Sequence, residues 1–301
     1  MQAFAPGIFP RSDMLVQATR DLDRGRTTQE AVDAQVARDR EELLGVQQEA
    51  GLDLVSDGML TWQDLFRPLL DASDGLEPGA LTRFLDTNTF YRAPHATTAT
   101  PTLSSSLEQS LLDLPGSRVV TLPSPFALAH GTGVTPQAMS DGVLKPLVDA
   151  VDAELVVLSE PFLGRVAPGA VQELAAPLES LGGGPKLALQ LTFCDARIAL
   201  ESGLAELPVD AIGVDFYLTH LTDLPKGLEK LLLAGVVDAR SSTLEDAGEL
   251  AGFAQRLQEE REVERLALVP NGDLQFVAQP IADEKLRRLG AAKTATVATP
   301  A

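Results

Sequence analysis

The chain has 301 residues, 45% of them hydrophobic, with 24 Lys and Arg against 43 Asp and Glu for a net charge of −19. So much apolar material excludes disorder of the whole chain, and the negative field repels a phosphate backbone, which excludes nucleic acid as an expected partner. A single cysteine, Cys194, excludes an internal disulfide, and no basic leader or apolar run of ~18 residues is present, so a cytoplasmic protein with a small-molecule substrate and no membrane contact is expected.

The first fifty residues read as an N-terminal helical extension. Thr28 is placed to cap a helix whose inward face carries Val32, Val36, Leu43, Val46 and Ala50. From there, short runs rich in Val, Leu and Ile alternate with longer segments of helical period. The strand candidates are Leu52–Ser56, Phe90–Pro94, Arg118–Leu122, Leu155–Ser159, Leu187–Thr192, Ala211–Asp215, Leu231–Val237 and Leu266–Val269. Eight parallel strands with intervening helices close into a barrel, because closure leaves no unpaired edge. The expected fold is therefore α/β, a (β/α)8 TIM barrel over residues 51–297 with the extension at 1–50, all one domain of 1–301. Residues 71–85 and 95–117, rich in Gly, Pro, Ser and Thr, read as long loops. Leu244, Ala247, Leu250, Ala251, Ala254 and Leu257 mark a helix before the last strand, and a final helix is expected from Ala282 to Ala295 with a frayed tail.

Barrel enzymes carry their chemistry at the C-terminal ends of the strands, so candidates are sought there. Trp62 and Asp64, with Asp57, fall in the loop after the first strand candidate, where an indole and a carboxylate suit a heterocyclic ring or simply pack the rim. Arg92 follows the second candidate and suits an anionic ligand or a surface ion pair; Asn88 suits polar recognition or a turn. The run Gly182-Gly183-Gly184-Pro185 precedes a strand and reads as a helix stop, not a phosphate loop.

Five segments in order, spread over nearly the whole chain, carry a family resemblance. They are "PGIFPRS" (Pro6 to Ser12), "GLDLVSDGMLTWQDLF" (Gly51 to Phe66), "LSEPFLG" (Leu158 to Gly164), "AGVVDARSSTLED" (Ala234 to Asp246) and "LVPNGDLQ" (Leu268 to Gln275). They resemble the opening, first-strand, "DEPAL", "LGVVDVRS" and "VNPDCGL" motifs of the cobalamin-independent methionine synthase family. "FLDTNTFY" (Phe84 to Tyr91) is similar to a string of the metal-free N-terminal barrel found in two-barrel members.

The resemblance implies methyl transfer from a methyltetrahydrofolate to the thiol of homocysteine, activated as a thiolate on zinc. It places the zinc positions on Gln190, Thr192, Asp215 and Gly272, of which only Asp215 is a usual ligand. A shifted metal set of Cys194, Asp215 and Asp273, with His220 as a fourth candidate ligand, is the alternative to an unreactive buried Cys194. Ile8, Met59 and Ser159 replace polar groups of the family's amino-acid pocket, so the function is expected to be divergent. Glu160 is retained as the catalytic candidate with Asp64, and Gln190 and Asn271 join Trp62, Arg92 and Asn88 as substrate contacts. Two other readings are a non-catalytic ligand-binding barrel and a metal-independent enzyme of the uroporphyrinogen decarboxylase kind. The latter needs an arginine-lined cleft, which the acidic composition disfavours.

Overall fold

In the computed structural model, which describes residues 1–105, 107, 114, 116–165 and 168–295, seven parallel strands stand side by side. These are β1 (Gln2–Ala3), β6 (Val119–Pro123), β7 (Leu155–Glu160), β8 (Lys186–Leu191), β9 (Ala211–Asp215), β10 (Leu231–Val237) and β11 (Leu266–Pro270). Their order is β1-β11-β10-β9-β8-β7-β6, so the first strand lies beside the last. The segment 53–55 fills the remaining gap: Asp53 N donates to Ala3 O at 2.9 Å, and Val55 makes a parallel bridge with Arg118. The ring thereby has eight positions and no open edge, as a TIM barrel requires.

The apolar runs explain the strands. Their residues are buried on both faces: Phe4, Leu54, Val157, Leu233 and Val269 form one cluster, while Leu122, Leu158, Leu189 and Leu268 belong to a larger one that includes the helices. The helices of the first fifty residues are α1 (Asp13–Asp23), capped by Ser12, and α2 (Gln29–Glu49), capped by Thr28 as the sequence indicates. The expected helix before the last strand spans Ala247–Arg261, capped by Asp246, and the final one spans Gln279–Ala292.

The final helix crosses the end of α2 at very short range, because a Cβ on Gly290 would stand 1.8 Å from Ala50 O. Gly290→Ala is therefore expected to cost roughly 1–3 kcal/mol or more by forcing the two helices apart, read as a lower urea midpoint at unchanged slope.

Two expectations need correction. The first fifty residues supply not only helices but β1 itself, a strand of two residues, too short for any apolar pattern to reveal it. Phe90–Pro94 is not a barrel strand: it lies in β4 (Phe90–Ala96), paired antiparallel with β3 (Leu76–Arg83). A parallel neighbour needs a long crossover, whereas the short connection between these strands permits only a hairpin. Of the two expected loops, the first is thus mostly strand, and the second contains β5 (Thr102–Leu103), which pairs with β2 (Ser73–Asp74). Residues 106, 108–113 and 115 of that second stretch, and the tail 296–301, lie outside the described residues. No described helix is long and apolar enough to cross a membrane.

Candidate functional site

The strands end at one rim, and carboxylates are buried there. Glu160 closes β7 with no solvent exposure. Its Oε1 accepts from Phe162 N at 2.7 Å and Leu163 N at 2.8 Å, and its Oε2 accepts from the Ser124 hydroxyl, which in turn takes Ala127 N at 2.9 Å. Glu160 thereby ties the loop after β7 to the loop after β6. Asp215, at the end of β9, accepts from Tyr217 N at 2.9 Å and from Asn271 Nδ2 at 3.2 Å through Oδ1, while its buried Oδ2 has no partner among the described residues. Asn271 Oδ1 accepts from Ala239 N at 2.9 Å, so Asn271 links the loops after β9, β10 and β11. Asp273 Oδ1 accepts from Ile8 N at 3.0 Å, which joins the loop after β11 to the loop after β1. Burial pushes Glu160, Asp215, Asp273 and also Asp57 up to about 6, against the pull of these hydrogen bonds.

Phe193 packs against the loop after β11 at this rim. Its backbone takes φ 55°, and its ring is 1% exposed. A Cβ on Gly272 would stand 2.3 Å from its Cζ, so this ring occupies the room that a side chain at position 272 would need. Arg240 stacks over the ring at 4.7 Å, Phe276 meets it edge-on at 5.5 Å, and Arg165 donates to Phe193 O at 2.9 Å.

Alternation continued past β8 would turn Cys194 to the same side as Gln190 and Thr192. β8 ends at Leu191, and the positive φ of Phe193 breaks the alternation just before Cys194. The thiol packs instead against Gly164 of the loop after β7, where a Cβ would lie 2.5 Å from Sγ. Burial, then the charges of Glu160 and Asp215, push this thiol up to about 12, so it is not a thiolate at neutral pH. Gln190 is buried and spans to β11, its Nε2 donating to Pro270 O at 2.8 Å. Among the described residues no group of three or more His, Cys, Asp or Glu is placed to hold a metal ion.

The other candidates lie higher on the rim. Trp62 is buried and lines a cavity of about 400 Å³. Asp64 lines a neighbouring cavity of about 290 Å³, and its Oδ1 accepts from Phe66 N and Arg67 N, both at 2.8 Å. The β3–β4 hairpin folds over this side and contributes Phe84 and Tyr91 to a run of ring contacts from Phe193 through Phe276, Phe84, Tyr91 and Phe66 to Phe162. Arg92 and Asn88 are not gathered with them. Both are exposed on the hairpin, where Arg92 donates to Gly79 O at 3.3 Å and Asn88 accepts from Arg83 at 3.5 Å.

Sequence reasoning passed over Arg11, Ser124, Phe193 and Phe276. Arg11 sat inside the quoted opening motif, and Ser124-Pro125 directly after a strand is a helix-start signal that could have pointed to the partner of Glu160.

No family model matches the chain. It superposes on a B12-independent methionine synthase from Shewanella sp. W3-18-1, solved with selenomethionine, with a TM-score of 0.75 at 16% identity over 98% of this chain and 97% of that one. A putative vitamin B12-independent methionine synthase from Listeria monocytogenes gives 0.74 at 13% identity, covering 98% of each chain. Those likenesses establish the fold as that of these barrels. A 5-methyltetrahydropteroyltriglutamate–homocysteine methyltransferase from Mycobacterium tuberculosis H37Rv is 28% identical over 284 residues, 79% of this chain and 37% of the relative. Its counterpart from Corynebacterium glutamicum ATCC 13032 is 30% identical over 218 residues, 66% of this chain and 29% of the relative.

The chain is related to the cobalamin-independent methionine synthase family. It spans well under half the length of the curated relatives it matches. The rim just described is the strand end at which TIM-barrel enzymes place their sites, and here its buried acids hold the loops together.

Proposed function

We propose that this chain is a divergent barrel of the methionine synthase type that binds a small organic molecule at its mouth and does not activate a thiol on zinc. The Phe193 ring over Gly272 carries the reading. Of the positions that the family resemblance assigns to zinc, Gln190 is committed to a backbone carbonyl, Thr192 is a weak donor, and the space at 272 is taken by an aromatic ring. Only Asp215 offers a usual ligand atom, so the donor set does not fit a soft cation. In this reading Glu160 and Asp273 hold the loops in register through backbone amides, and Cys194 is a packed, protonated thiol.

The test pairs three measurements on the purified protein. Elemental analysis of wild type and Cys194→Ser should find well under one zinc per chain in both. An assay supplying methyltetrahydrofolate and homocysteine should yield no methionine. A thermal-shift series with reduced and oxidised folates should raise the melting temperature, since a ligand that binds only the folded state stabilises it. Stoichiometric zinc that is lost in Cys194→Ser, or methionine formation, would overturn the zinc-free reading. The Oδ2 of Asp215, without a partner among the described residues, favours that contrary result. No stabilisation by any folate would count against a folate-type ligand.

A further inference from the structure

The two rim cavities, of about 400 and about 290 Å³, are lined in common by Arg11, Gln63 and Gln275. They adjoin where the loops after β1, after segment 53–55 and after β11 come together. Arg11 stands at this junction half-buried, and among the described residues it has no carboxylate partner and makes no hydrogen bond. Burial, reinforced by the positive charge of Arg20, holds its pKa below the ordinary guanidinium value, so the site disfavours the cation that occupies it. A guanidinium carries five donors, and taking them from water without an acceptor is costly. With 43 acidic side chains in the molecule, a partner for this cation was not in short supply.

A second donor faces the same difficulty. Trp62 lines the larger cavity at 1% exposure, and its indole Nε1 is buried with no acceptor among the described residues. The acids nearby do not resolve either shortage. Asp64 and Asp273 line the smaller cavity, but each has an oxygen accepting from backbone amides, of Phe66 and Arg67 in one case and of Ile8 in the other. Asp13 lines the larger cavity from the first turn of α1 without pairing with Arg11.

We propose that Arg11 is the anchor of an anion subsite, taking the carboxylate or phosphate of a small organic ligand whose remainder lies along Gln63 and Gln275 in the joined cavities. The planar guanidinium presents two parallel donors to such a group, and the side-chain amides of Gln63 and Gln275 offer both donors and acceptors to a neutral polar body. The inference rests on the reading of the barrel mouth as a ligand site and adds the chemical class of what enters it.

Trp62 is the only tryptophan in the chain, so intrinsic fluorescence reports from the cavity wall itself. Wild type, Arg11→Gln and Arg11→Lys are titrated with inorganic phosphate and with citrate, against sodium chloride at matched ionic strength. At least one of the two anions should change the emission saturably in wild type where chloride does not, and the one that does identifies phosphate or carboxylate as the preferred group. Arg11→Gln should weaken that binding about tenfold or more, the loss expected when charge-assisted hydrogen bonds disappear, and Arg11→Lys should fall between. Near-UV circular dichroism and the melting temperature establish that each variant is folded, and Arg11→Lys serves alone if Arg11→Gln is not. No saturable response to either anion in wild type, or equal affinity in the variants, would overturn the proposal. Folate stabilisation that persists without any anion response would remove Arg11 while leaving the ligand-site reading in place.

Discussion

Phe193→Ala is expected to lower stability by roughly 3–5 kcal/mol, the range for removing a fully buried aromatic ring. The ring is packed on every side that can be named: Arg240 above it, Phe276 at its edge, and the backbone of Gly272 beneath. Its left-handed backbone costs about 1–2 kcal/mol on its own, which the packing must outweigh for the conformation to persist. The same geometry makes positions 193 and 272 interdependent. Gly272→Cys alone should be severely destabilising, because its Cβ would stand 2.3 Å from the ring, whereas in the Phe193→Ala background the thiol gains the vacated room. A double-mutant cycle read by urea unfolding should therefore show favourable coupling of about 1–3 kcal/mol. Additive losses would mean that the ring does not fill the space over residue 272, and the case against a zinc site there would fall with it.

The molecule should also be more stable at pH 5 than at pH 8. Asp57, Asp215 and Asp273 rise from 3.8 to about 6 on folding and Glu160 from 4.5 to about 6, each chiefly through burial. Between the unfolded and folded values the native state holds more protons than the unfolded chain, so stability falls as pH rises through that interval. The contribution is fully present below about 4 and lost above about 6, after which the curve is flat in these groups. A difference of one pH unit is worth about 1.4 kcal/mol, and all four differences exceed one, so the sum is several kcal/mol. Relief of self-repulsion in a chain of net charge −19 acts in the same direction. Chemical unfolding at pH 5, 6, 7 and 8 tests this, with Glu160→Gln expected to flatten part of the slope. Stability that climbs steadily from pH 5 to pH 8 would show that these acids are not held in a desolvated state.

The parts of the fold that could be read from sequence are those with their own periodicity. α2 was announced by a cap at Thr28 and a stripe through Val32, Val36 and Leu43, and β6 to β11 by continuous apolar runs. β1 could not be read, since two residues carry no period, and β4 was placed in the wrong sheet because a hairpin strand and a barrel strand share one alternation. The acids at strand ends were legible: Glu160, Asp215 and Asp273 were named, and all three are buried at the rim. What they do there was not. Their partners, Ser124, Asn271 and Ile8, lie 36 to 265 positions away, and no local pattern encodes such pairings. Cys194 is buried, one of its two readings, but the left-handed residue before it turns the chain after Leu191, and no periodicity reveals that turn. Arg11 escaped notice because the lack of a partner is a property of three-dimensional neighbours, invisible in a string of letters.

The pairing of β1 with β11 sets an order on biosynthesis. Gln2 finds Ala267 across the ring, so the wall of the barrel has a missing stave until the strand some 265 positions downstream has been made. At about 5–20 residues per second that wait lasts roughly ten seconds to a minute, with the edge at Ala3 open to wrong neighbours throughout.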